Sequence, residues 1–123
     1  MKTPGRPNRS CFFLPATTAF EDLVWKPAVD IYRTADGWLA KFELAGVRPS
    51  DVHIEIRGRN LIVRGVRRDR ILEQGCCYHA LEIAYSEFER RLELPLDLES
   101  AQITTAYQEG MFLVRVSMKE KSP

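Results

Sequence analysis

The chain has 123 residues, 45% hydrophobic and 28% charged, with a formal net charge of +1. That length suits one compact domain of ordinary globular composition. The near-neutral balance excludes a global field steering the chain to nucleic acid or an anionic membrane. No apolar run approaches a bilayer span, and Cys11 to Leu14 is too short for a signal-peptide core, so a cytoplasmic protein is expected.

Residues 1–25 differ in composition from the rest. Pro4, Gly5, Pro7 and Pro15 break regular structure, and Lys2, Arg6 and Arg9 keep the start polar. Yet Phe12, Phe13, Leu14, Phe20 and Trp25 make the stretch too aromatic for a solvated tail. It reads as an irregular arm that docks on itself, a partner or a client. A short helical turn over Ala19 to Trp25, capped by Thr18, is its one regular element.

From Pro27 the pattern turns to period two. Val29, Ile31 and Arg33 alternate with Asp30 and Tyr32, and Asp36-Gly37 reads as a hairpin turn. Trp38, Ala40, Phe42 and Leu44 then point one way, with Leu39, Lys41 and Glu43 the other. After a turn at Gly46 to Asp51, Val52, Ile54 and Ile56 alternate with His53, Glu55 and Arg57. Gly58 to Asn60 turns into a strand from Leu61 to Val66. Arg67 to Cys77 is the longest irregular connection. Tyr78 to Ala84 and Glu87 to Leu94 read as one strand interrupted near Ser86 and stopped by Pro95. Ile103, Thr105 and Tyr107 alternate, Glu109-Gly110 turns, and Phe112, Val114 and Val116 close on one face. Short strands separated by turn signals predict an all-β, antiparallel, immunoglobulin-like β-sandwich over 26–117, with a short tail at 118–123.

Little in the chain points to catalysis. There is no phosphate-binding glycine loop and no serine nucleophile elbow. His53, His79, Cys76 and Cys77 lack zinc-site spacing, so neither metal nor cofactor is expected. The cysteines number three. An odd count with two adjacent members does not resemble a disulfide framework, and free thiols are expected. Arginines near Cys76 and Cys77 would lower a thiol pKa, which keeps a redox sensor open beside an inert surface thiol. Arg57, Arg59, Arg64, Arg67, Arg68 and Arg70 form a basic cluster. Without interleaved aromatic residues it offers no platform for bases, so a solvated or subunit-facing role is favoured over nucleic acid.

One ordered set of motifs stands out. Pro27 to Tyr32 opens the first strand. Glu43-Leu44-Ala45-Gly46-Val47 precedes Asp51-Val52, and Leu61-Ile62-Val63-Arg64-Gly65 follows. Then come Phe88-Glu89-Arg90, Leu94-Pro95 and the run from Ile103 to Gly110. This order over residues 27–116 resembles the α-crystallin domain of small heat-shock proteins. Ala45 stands where proline is usual, Phe112 for leucine, Thr105 for alanine, and Ser117-Met118 for a Pro-Lys close.

The resemblance implies a non-enzymatic, ATP-independent holdase that binds unfolding proteins. Candidate client contacts are Phe12, Phe13, Leu14, Phe20 and Trp25. A groove between edge strands would be lined by Val52, Ile54, Ile56, Ile103 and Thr105. The chain as given ends at Pro123 without the Ile-x-Ile that docks there in the family, so large cages are not expected. Ile71 and Leu72, in a loop that reaches a second subunit, and Arg90 are candidate dimer contacts. The alternative is a CS-domain-like co-chaperone, an adaptor for one folded partner; that class lacks the Phe-x-Arg and Leu-Pro motifs.

Overall fold

A computed structural model of the chain describes residues 25–71 and 73–118. They form seven strands: β1 (Val29–Arg33), β2 (Gly37–Glu43), β3 (Val52–Arg57), β4 (Asn60–Val66), β5 (Glu87–Glu93), β6 (Gln102–Gln108) and β7 (Met111–Ser117). One 3-10 turn, Pro49–Asp51, precedes β3. Two antiparallel sheets result, a four-stranded one ordered β1-β2-β7-β6 and a three-stranded one ordered β3-β4-β5. The expected antiparallel sandwich is therefore present.

The alternation in sequence sets the register. Phe42 pairs with Val29 on one side and Phe112 on the other, and Ala40 with Ile31 and Val114. In the second sheet Leu61 and Val63 pair with Leu92 and Arg90. Phe42, Leu61, Val63, Val114 and Val116 are fully buried between the layers. A slip of one residue would turn each of these side chains outward, forfeiting about 1.5–3 kcal/mol apiece. The β6–β7 hairpin turns on Glu109 and Gly110, at φ 48° and 81°. Positive φ at both central residues matches the twist of the strands, and glycine meets it without steric cost.

One burial breaks the alternation. Ile62 faces outward, between Glu55 of β3 and Arg91 of β5, yet is only 2% exposed. Opposite it, Glu55 is bound by both Arg57 and Arg64 at 2.6 Å. The hydrogen bond from Arg57, with the charge of Arg64 adding to it, holds the Glu55 carboxyl below its ordinary pKa.

Three expectations need correction or fall elsewhere. Tyr78 to Ala84 is not a strand: it pairs with no ladder, and Ile83 is 54% exposed. Arg67, not a neighbouring strand, takes the Ala84 carbonyl. The cysteines are not all free thiols, for Cys76 is free and exposed but Cys77 is disulfide-bonded. Phe12, Phe13, Leu14, Phe20, Leu72, nearly all of the expected helical turn and residues 119–123 lie outside the described residues; Trp25 itself is not helical.

Gly65 marks the tightest approach in the second sheet. A Cβ there would lie 2.4 Å from the Asp51 carbonyl oxygen and 2.9 Å from the Phe88 ring. Gly65→Ala is expected to lower stability by about 1–3 kcal/mol, as overpacking does, measured by urea unfolding. A loss near zero would show that the strands do not meet as described.

Candidate functional site

Each sheet has two edges: β1 and β6 in the first, β3 and β5 in the second. Leu98 donates its N–H to the Gly58 carbonyl at 2.8 Å, which brings the start of β6 to the end of β3. Those two strands therefore border one side of the sandwich, and β1 and β5 the other.

The β3/β6 side is open. Val52, Ile54 and Ile56 point toward the core but are only half-buried, unlike Leu61 and Val63 on the next strand. Ile103 and Thr105 share the inner face of β6 with Tyr107, since they pair with Val116 and Val114. Ile103 is half-buried and Thr105 is exposed despite facing inward. All five residues expected to line the groove thus sit on the inner faces of the two edge strands. The sequence Gln102–Gln108 of β6 contains no charge. An uncharged edge leaves its backbone groups accessible to another strand, which charged edges discourage. Tyr107 limits one end, donating its hydroxyl to the Leu44 carbonyl at 3.0 Å.

The β1/β5 side is partly covered by the chain entering the domain. Pro27 is buried, and Arg90 donates from Nη1 to its carbonyl at 2.6 Å. Arg90 lies between Phe88 and Leu92 on the inward face of β5. Trp25 packs edge-on against Phe88, centroids 5.1 Å apart. The Arg67 guanidinium lies 3.7 Å from the Trp25 ring centroid, a cation–π stack. The same group gives two hydrogen bonds to the Ala84 carbonyl, at 3.0 and 2.8 Å, and one to Ala45 at 3.3 Å. Burial pushes its pKa below the ordinary value, but arginine stays charged. Further along, Ile31 and Tyr32 of β1 are each 42% exposed, and Ile71 in the β4–β5 loop is 95% exposed.

The arginine cluster is held by partners: Arg57 and Arg64 by Glu55, Arg59 by Glu93, Arg70 and Arg68 by Asp51. Among the described residues no His, Cys, Asp or Glu group could hold a metal ion. Nor is any helix there long and apolar enough to cross a membrane. Two clefts, of about 470 and 700 Å³, lie away from the open side: one beside Asp51, His53 and Arg64, the other beside Trp38, Leu96 and Met118. An edge strand with half-covered apolar neighbours suits an extended chain, which can pair along it.

The resemblance named the five groove residues, and alternation put those of each strand on one face. The Trp25–Arg67 stack was missed: it has no local signature, because its partners come from four separate stretches of chain.

Residues 30–123 match the family described as Hsp20/alpha crystallin. The chain is 27% identical over 95 residues to small heat shock protein C2 of Rickettsia felis, covering 77% of this chain and 62% of that one. It spans a little under two thirds of the length of the curated relatives it matches first. The solved structure of hspA from Xanthomonas axonopodis is 28% identical with a TM-score of 0.63, over 76% of this chain and 94% of that one. Heat shock protein 16.0 from Schizosaccharomyces pombe reaches a TM-score of 0.70 at 20% identity, over 81% and 93% of the two chains; that likeness concerns fold alone.

The Arg67 stack makes a prediction readable by fluorescence. In a Trp38→Phe background, Arg67→Ala is expected to red-shift Trp25 emission and raise its quenching by acrylamide. Arg67→Lys should do so partially, since an ammonium cannot make the same planar stack and fork of hydrogen bonds. Unchanged emission in both variants would contradict the placement of Trp25.

Proposed function

This chain belongs to the Hsp20/alpha crystallin family, and on that premise we propose that it is an ATP-independent holdase that captures partly unfolded proteins. The family assignment supports a chaperone role. The observation that carries the finer reading is the open β3/β6 side. There the inner faces of two edge strands are half uncovered, and one of those edges has no charge. An unfolding protein presents apolar side chains and unpaired strands. An extended segment laid along β6 would pair its backbone while its side chains meet Ile54, Ile56 and Ile103. Such binding lowers the concentration of aggregation-prone chains by mass action and needs no nucleotide.

The arm supplies the second set of contacts in this reading. Phe12, Phe13, Leu14 and Phe20 offer adaptable apolar surface. Trp25, packed on Arg67 and Phe88, ties the arm to the sandwich and joins the client surface only when that tie opens. Self-association is part of the proposal. Ile71 and Leu72 add an edge strand to β1 of a second copy, whose Ile31 and Tyr32 they cover. Arg90 braces the chain entry beside that edge through Pro27. A cytoplasmic location belongs to the same reading.

The test is light scattering of a heat-labile protein with and without the chain. The Ile54→Glu/Ile103→Glu double variant is expected to need about tenfold more protein for equal suppression, or about 1.4 kcal/mol of lost binding. Both positions are half-buried, so a urea titration checks that the domain still folds. Deletion of residues 1–24 should leave a folded dimer with weakened suppression. Full suppression by the double variant and by the deletion would refute the proposal. Tight binding to a single folded chaperone, with no protection of unrelated proteins, would instead identify an adaptor.

A further inference from the structure

We infer that Asp51 is a positioning residue for self-association, an ionic pin that aims the loop carrying Ile71. The inference rests on the proposed contact between that loop and β1 of a second copy.

The loop from Arg67 to Ser86 leaves the sandwich at the end of β4 and returns at the start of β5. Its neck is closed by the Arg67 N–H, which donates to the Ser86 carbonyl at 3.0 Å. The Arg67 side chain closes it again through Ala84. Beyond the neck the loop is tied to the sandwich once more. Arg70 Nη2 lies 2.8 Å from Asp51 Oδ2, and Arg68 Nε lies 3.7 Å from the same oxygen. The three side chains retain 22%, 26% and 33% of their exposure for Asp51, Arg68 and Arg70. They are thus less screened than a fully exposed pair, which contributes little. The very next residue, Ile71, is 95% exposed. A loop held up to Arg70 and released at an aliphatic residue is built to present that residue.

The pin lies outside the hydrophobic core. Asp51 is outside the core cluster, and what touches Gly65 there is its backbone carbonyl rather than its carboxylate. Its two cationic partners lie in an irregular segment that no ladder fixes. The carboxylate therefore acts on direction. Tethering the loop root lowers the conformational entropy lost when Ile71 docks, which strengthens association without adding a contact. Because the tether is ionic, association acquires a dependence on salt.

Sedimentation of the full chain over a dilution series, at low and high salt, tests this. Ile71→Asp is expected to abolish the dimer. Asp51→Asn should weaken it about tenfold at low salt, equal to about 1.4 kcal/mol, and remove most of its salt dependence. Asp51→Glu should restore most of the affinity. Asp51→Asn placed in the monomeric Ile71→Asp background should leave the thermal midpoint unchanged, which separates positioning from stability. If Ile71→Asp dissociates the dimer but Asp51→Asn keeps wild-type affinity and salt dependence, the pin is overturned while the contact stands. If Ile71→Asp remains dimeric, or the wild-type chain is monomeric throughout, the loop contact and the pin both fail.

Discussion

Four strands stack on three in this domain, so one sheet is wider by a strand, about 4.8 Å. The inner faces stay incompletely covered at the flanks. Phe42, Leu61, Val63, Val114 and Val116 fill the middle completely. Toward the flanks the same alternation produces side chains that aim inward and still meet water: Ile54 and Thr105 on one side, Ile31 on the other. The pattern that makes the core also makes the exposed apolar margins.

The two margins are handled differently. On the β1/β5 side the entering chain lies across part of the opening, with Pro27 held by Arg90 and Trp25 held between Phe88 and Arg67. Outward charges on β5, at Glu87, Glu89, Arg91 and Glu93, guard the rest of that edge. On the β3/β6 side no described segment lies across the strip, and β6 carries no charge. Under the proposed holdase role this asymmetry has a use: the covered flank would serve ordered contacts and the open one adaptable binding.

Much of this was legible in the chain. Period-two alternation and turn residues gave the strands that form and the Glu109-Gly110 turn; Asp36-Gly37 marked the right hairpin, although Gly37 opens β2 without a positive φ. The residues of the open strip were named by the resemblance. Arg90 was singled out by the resemblance alone, as a dimer contact; its hydrogen bond to the Pro27 carbonyl was not foreseen. What failed had no periodic signal. Tyr78 to Ala84 alternates like a strand, yet no ladder stands beside it, and pairing is decided by tertiary neighbours rather than by pattern. Alternation does not mark Ile62, on an outward face, as buried. Arg67 was read only as part of a basic cluster and Asp51 only as part of a motif; their partners lie far away in sequence. The fate of Cys77 likewise could not be counted from cysteine spacing.

Under the proposed function the β3/β6 flank takes up unfolded chains, and hydrogen exchange with and without a heat-unfolded protein measures that directly. Slower exchange in residues 52–57 and 102–108 on adding the unfolded protein, with β4 and β7 unchanged, is the predicted result. Exchange in β3 and β6 that does not respond, while the unfolded protein is nevertheless kept from aggregating, would contradict it.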